Sequence, residues 1–143
     1  FAVAPLSGRM TSRMPLRVPM CLGLLLIGTG TLLMRRVSPG GEWTELLPGF
    51  VVGGLGIGTI SPALAAAMVS VLPVERSGLA SGINNTFRQT GIAAGIAGLG
   101  AIFQRHDPDA AGFAAGLNDV FLVAAVCAAA GALTAFSLVR VRA

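Results

Sequence analysis

Four long apolar stretches divide the chain, at about 18–34, 48–72, 79–103 and 120–139. Each is close to the roughly 20 residues that a helix needs to cross a bilayer core. Short polar connections separate them, at 35–47, 73–78 and 104–116. None of the stretches alternates apolar and polar residues as a membrane-barrel strand does. The pattern predicts an all-α integral membrane bundle of about four transmembrane helices, occupying residues 18–143. Residues 1–17 read as the end of a preceding transmembrane helix followed by a polar loop that holds Arg9, Arg13 and Arg17.

Composition narrows the class. Of 143 residues, 54% are hydrophobic and 11% charged, and the mean hydropathy is +0.79. A water-soluble domain carries about 25% charged residues, and disordered chains are polar. Four spans leave no length for a soluble domain. The start at Phe1, inside what reads as an apolar segment, leads us to expect the tail of a longer membrane protein. A secretory signal is not expected, since no basic start precedes a short apolar run.

The net charge is +4 and the sequence pI about 11.1. In a soluble protein such a balance points to nucleic acid. Here all ten basic residues are arginine and most flank apolar runs, so they fit topology better. Arg9, Arg13, Arg17, Arg76, Arg140 and Arg142 fall on one side of the predicted bundle. Arg35, Arg36 and Arg105 fall on the other, among Glu42, Glu45, Asp107 and Asp109. The excess places the first side, and the carboxy terminus, in the cytoplasm. Trp43 falls at the outer edge of the second span, where an indole suits the headgroup zone. A plasma or inner membrane location follows, with the lipid bilayer as partner and no nucleic acid.

The chemistry-bearing residues are few. Cys21 and Cys127 lie within apolar runs, and the single histidine, His106, sits in a polar connection. No ligand spacing links them, so no metal or cofactor is expected. A membrane enzyme needs a nucleophile, metal ligands or an acid–base pair within mutual reach, and the spans offer none. Asp119 stands at the predicted start of the fourth helix, where it would cap the positive end of the helix dipole. A proton-coupling acid would then lie outside this stretch.

The third stretch differs from the rest. Its front half carries Ser81, Asn84, Asn85, Arg88 and Gln89, and its back half is almost all glycine, alanine and isoleucine. Ser77 would cap its first turn. Asn85, Arg88 and Gln89 share one helix face. Arg88 lies about 16 Å along the helix from Ser77. The cluster reads either as polar contact between helices at a cytoplasmic gate or as an arginine anchored in headgroups. Gly54 and Gly58, Gly78 and Gly82, and Gly91 and Gly95 are spaced by four, which allows close helix approach in lipid. Pro62 removes a backbone donor from the second helix and predicts a kink there, with or without a gating role.

Two stretches carry a family resemblance. "GLASGINNTFRQTGIAAGIAGLG" at 78–100, preceded by "VLPVERS", is similar to the penultimate helix of major facilitator superfamily drug exporters, and most to the fourteen-helix drug–proton antiporters. Gly78, Ser81, Gly82, Asn85, Arg88, Gln89, Gly91 and Gly95 match that pattern. "PLSGRMTSRMPLR" at 5–17 resembles the second-half copy of the superfamily's cytoplasmic loop signature, through Gly8, Arg13 and Arg17. Ser12 and Pro15 depart from the stronger first-half copy, which has Asp and Gly there. "GGLGIGTISPALAAAMVSVLP" resembles the preceding helix of the same group. The resemblance implies the C-terminal part of a proton-coupled multidrug or small-molecule exporter that works by alternating access. It implies the missing N-terminal half of the same polypeptide, a small-molecule substrate and protons as partners, and a fragment inactive alone. A sugar- or metabolite-type porter and a non-transporting membrane scaffold are the alternatives.

Overall fold

The computed structural model describes residues 15–71 and 76–138, and every regular element in them is helical. Helix α1 is Arg17–Leu33, α2 is Leu47–Val71, α3 is Ser77–Phe103 and α4 is Ala110–Leu138. A 3-10 turn at Met34–Arg36 extends α1, and another at Trp43–Leu46 leads into α2. The chain reverses between them at Ser38–Gly41, where the Gly41 N–H donates to the Ser38 carbonyl at 3.0 Å. Pro39 and Gly40 hold the two central positions of this turn, and the φ of +82° at Gly40 is one that glycine adopts without strain.

Helix α1 lies between α2 and α4 and runs antiparallel to both. Along the α4 side, the Arg17 guanidinium stands 5.9 Å from the centre of the Phe136 ring. Next, the Cys21 thiol donates to the Ala132 carbonyl at 3.3 Å. Farther on, Gly28 faces Ala125 and Ala128. Along the α2 side, Gly23 meets Gly56 and Ile60, Gly30 meets Gly49 and Gly53, and Met34 covers Gly49. On α1 these contacts recur at 23, 27, 30 and 34, and on α2 at 49, 53, 56 and 60. That spacing alternates four and three, as in the seam of helices crossing at a shallow angle.

Small residues make these seams. The buried hydrophobic residues among those described are Met34 and five alanines, at 63, 80, 114, 125 and 132, while Leu25, Phe50, Val51, Ile57, Leu133 and Leu138 are exposed. A soluble protein showing so much apolar surface would aggregate. In lipid the arrangement is the stable one, because close backbone approach supplies the dispersion contacts and large side chains meet acyl chains. Among the described residues, three helical segments are long and apolar enough to cross a membrane: Arg17–Arg36, Trp43–Ala67 and Ala110–Leu138. Helix α3, at 27 residues, is long enough, but its polar front half keeps it out of that group.

The fourth helix differs from the sequence expectation. It begins at Ala110, ten residues before the predicted start at 120. Asp109, and not Asp119, caps it: its Oδ1 accepts the Gly112 N–H at 2.6 Å and its carbonyl accepts the Phe113 N–H at 2.9 Å. Asp119, expected at that start, falls inside the helix beside Asn118. Both side chains instead meet loop residues, so the helix passes through them. Its 29 residues span about 44 Å, more than the roughly 30 Å hydrocarbon core. Asp109→Ala is expected to cost about 1 kcal/mol of stability. Thermal unfolding followed by circular dichroism should show the loss, and Asp119→Ala should leave this helix start intact.

Candidate functional site

The polar front half of α3 is the candidate site. The helix starts without a side-chain cap. Arg76 holds the N-cap position and Ser77 is the first helical residue, so the expected Ser77 cap is not made. Without a proline between Ser77 and Phe103, the helix runs unbroken through the polar cluster. Ser81, Asn85, Arg88 and Gln89 therefore fall on one face, at steps of four, three and one. All four are exposed. Among the described residues none of their side chains has a hydrogen-bond or ion-pair partner. The neighbouring Thr86 and Thr90 hydroxyls are satisfied within the helix, donating to the Gly82 and Thr86 carbonyls at 2.9 Å each. Beside this face a shallow groove of 410 Å³ runs along Gly78, Leu79, Gly82, Ile83, Thr86 and Phe87.

Such a ladder is incomplete as it stands. A guanidinium at the bilayer centre costs about 2.5–3.5 kcal/mol. Asn85 and Gln89 each add an amide with donors and acceptors that hydrocarbon cannot satisfy. The arrangement can bind a carboxylate or polar groups from another helix through five guanidinium donors in a fixed fork.

The loop-signature residues fare differently. Gly8 and Arg13 lie outside the described residues. Arg17 opens α1 with its guanidinium over the Phe136 ring, a cation–π contact that fastens the start of α1 to the end of α4.

Within the described residues, a Cβ on Gly54, Gly78, Gly82, Gly91 or Gly95 would meet nothing within 4 Å. Tight approaches between helices are found at Gly23, Gly30, Gly49 and Gly56. A Cβ on Gly30 would stand 2.6 Å from the Gly53 amide nitrogen, and one on Gly56 2.7 Å from the Gly23 carbonyl oxygen. Pro62 lies inside α2, which continues on both sides of it. The Ser61 hydroxyl donates to the Ile57 carbonyl at 2.7 Å and the Thr59 hydroxyl to the Leu55 carbonyl at 2.7 Å.

Two functional-looking groups escaped the sequence reading. Asn118 bonds both backbone groups of Val37, and His106 stands 3.4 Å from Asp119. The available signal was an Asn–Asp pair inside an alanine-rich stretch, with the only histidine 13 residues earlier. Around His106 the turn between α3 and α4 holds a half-open cavity of 580 Å³, lined by Phe103, Gln104, His106, Asp107, Pro108, Gly112 and Phe113. The two phenylalanine rings meet edge to face, with centres 5.3 Å apart.

Comparison with known proteins agrees with this membrane architecture. The sequence model of the Major Facilitator Superfamily matches residues 1–143. The multidrug resistance protein Stp of Mycobacterium tuberculosis is 33% identical over 100 residues, covering 70% of this chain and 18% of its own. A probable actinorhodin transporter of Streptomyces coelicolor is 34% identical over 86 residues, covering 57% of this chain and 15% of its own. The methylenomycin A resistance protein of the same species is 32% identical over 79 residues, covering 55% and 17%. No solved structure matches. The chain belongs to the Major Facilitator Superfamily, a family of transporters, and is a multi-pass membrane protein. It spans less than a fifth of the length of the curated relatives it matches.

Proposed function

We propose that the chain is the C-terminal part of a proton-coupled multidrug or small-molecule exporter of the fourteen-helix group, working by alternating access. The observation that carries this reading is the agreement of relatives whose names all concern drug resistance or antibiotic transport, at 32–34% identity. The sequence of α3 supports it, through Gly78, Ser81, Gly82, Asn85, Arg88 and Gln89. In this reading two helical halves rock about a central site. The rest of the polypeptide supplies the other half, together with the acid that couples protons. Ser81, Asn85, Arg88 and Gln89 form interhelical contacts at the cytoplasmic end, and Pro62 bends α2. Four helices then cross a plasma or inner membrane, and the arginine-rich side and the carboxy terminus face the cytoplasm.

The test is efflux by the full-length polypeptide that carries this segment. Expressed in a drug-sensitive bacterium, it is expected to raise tolerance to lipophilic dyes and to clear preloaded ethidium. A protonophore should abolish the clearance. Unchanged dye retention, together with uptake of a sugar or metabolite, would refute the exporter reading.

A further inference from the structure

The α1–α2 loop and the α3–α4 loop lie at the same end of the bundle, and consecutive residues of α4 reach both. Asn118 Oδ1 accepts the Val37 N–H at 3.2 Å, and Asn118 Nδ2 donates to the Val37 carbonyl at 3.0 Å. Val37 has left the 3-10 turn for extended backbone, with φ −69° and ψ 123°. Its peptide groups therefore have no helical partner and need one. A primary amide that meets a residue's N–H and carbonyl together fixes that residue in both position and direction. The match also settles which end of the amide is oxygen.

Asp119 serves the second loop. Its Oδ2 stands 3.4 Å from His106 Nε2, an ion pair whenever the imidazole is protonated. His106 Nδ1 is buried and has no partner among the described residues, so the polar hold they give the ring comes through Nε2. Gly116 makes room for this placement: a Cβ there would lie 3.1 Å from the Phe103 ring and 3.3 Å from His106 Nδ1.

We propose that Asn118 and Asp119 form a two-armed clasp at this end of the bundle. Asn118 fastens the α1–α2 loop to α4, and Asp119 fastens the α3–α4 loop to the same turn. Neighbouring residues project about 100° apart around a helix, so the arms reach different sides of α4. The separation of the two loops is thereby set by one helical turn. The arms are unequal. Asn118 makes two half-buried hydrogen bonds, whereas the Asp119 side chain is 50% exposed and makes one contact. Opening of this end accordingly begins at the α3–α4 loop, with the α1–α2 loop still held. That order of opening rests on the exporter reading; the clasp itself rests on the contacts.

The experiment is a distance measurement by pulsed electron paramagnetic resonance. Spin labels are attached at Ser38→Cys and Gln104→Cys in the full-length polypeptide, in lipid nanodiscs, with other reactive cysteines replaced. One narrow distance distribution is expected. Asn118→Ala should broaden it at least twofold. Asn118→Asp keeps the acceptor for the Val37 N–H and loses the donor, so it should broaden it less. Asp119→Asn should broaden it as well, and the Asn118→Ala/Asp119→Asn pair most. A distribution as narrow in Asn118→Ala as in the parent overturns the clasp. If Asn118→Ala does not accumulate, Asn118→Asp decides by the same criterion. Dye efflux on the same variants separates the two ideas: broadening in a protein that never exports dye upholds the clasp and refutes the exporter.

Discussion

Replacing Gly30 with leucine is expected to keep α1 and α2 apart and to abolish accumulation of the folded protein. The reason is which atoms meet. A Cβ at Gly30 would stand 2.6 Å from the Gly53 nitrogen and 2.8 Å from the Gly49 carbonyl oxygen. Both neighbours are backbone, so no rotamer change relieves the clash, and the helices themselves must separate. Even Gly30→Ala should cost about 1–3 kcal/mol, the range for overpacking a tight contact. The loss matters more in lipid than in water, because no hydrophobic force pulls the separated helices together again. Gly54→Ala is the matched control. It lies on α2, one residue from Gly53, yet its Cβ would meet nothing within 4 Å among the described residues. Relief of glycine's backbone entropy should make that change neutral or stabilising by about 0.5–1 kcal/mol. Thermal unfolding in detergent distinguishes them. Equal midpoints for Gly30→Ala and Gly54→Ala would show that the α1–α2 seam is not the close contact described.

The same pair of glycines shows what the sequence could and could not convey. The helices themselves were legible, because four apolar runs of membrane length leave few alternatives. The starts and ends of α1, α2 and α3 fall within two residues of the pattern-based bounds. With 20 glycines in 143 residues, however, spacing by four arises in many places. Which of them touch depends on the register between helices, and that is set by partners far along the chain. Gly30 and Gly53 are one pair and Gly23 and Gly56 another, and no local pattern announces either. The start of α4 was misread for a related reason. Asp119 was expected at that start as a dipole cap, but it and Asn118 lie inside the helix, and their partners, His106 and Val37, lie in other connections. The polar face of α3 was legible in full, since it needs only helical periodicity. What completes it was not, since the described residues contain no partner for it.

Arg88→Ala is expected to lower dye efflux at least tenfold in the full-length polypeptide while leaving its amount in the membrane nearly unchanged. Two observations lead there. Arg88 shares a face with Ser81, Asn85 and Gln89, and among the described residues its guanidinium meets no carboxylate. A charge placed about 16 Å along a helix that enters a bilayer is tolerated only if it reaches water or a partner. If it merely anchored α3 in headgroups, lysine would serve as well, since both side chains snorkel. If it makes a directed contact with another helix, lysine loses the fork geometry and keeps only the charge. A hydrogen bond to a charged group contributes about 1.5–3 kcal/mol, and each 1.4 kcal/mol is about a tenfold change in an equilibrium. The loss of such a bond from one state of a rocking transporter therefore shifts the balance of states by roughly ten- to a hundredfold. Arg88→Lys should retain part of the efflux, and Asn85→Ala and Gln89→Ala should each lose less than Arg88→Ala. Full efflux in Arg88→Lys, with reduced membrane insertion in Arg88→Ala, would assign Arg88 to the headgroups and remove it from the gate.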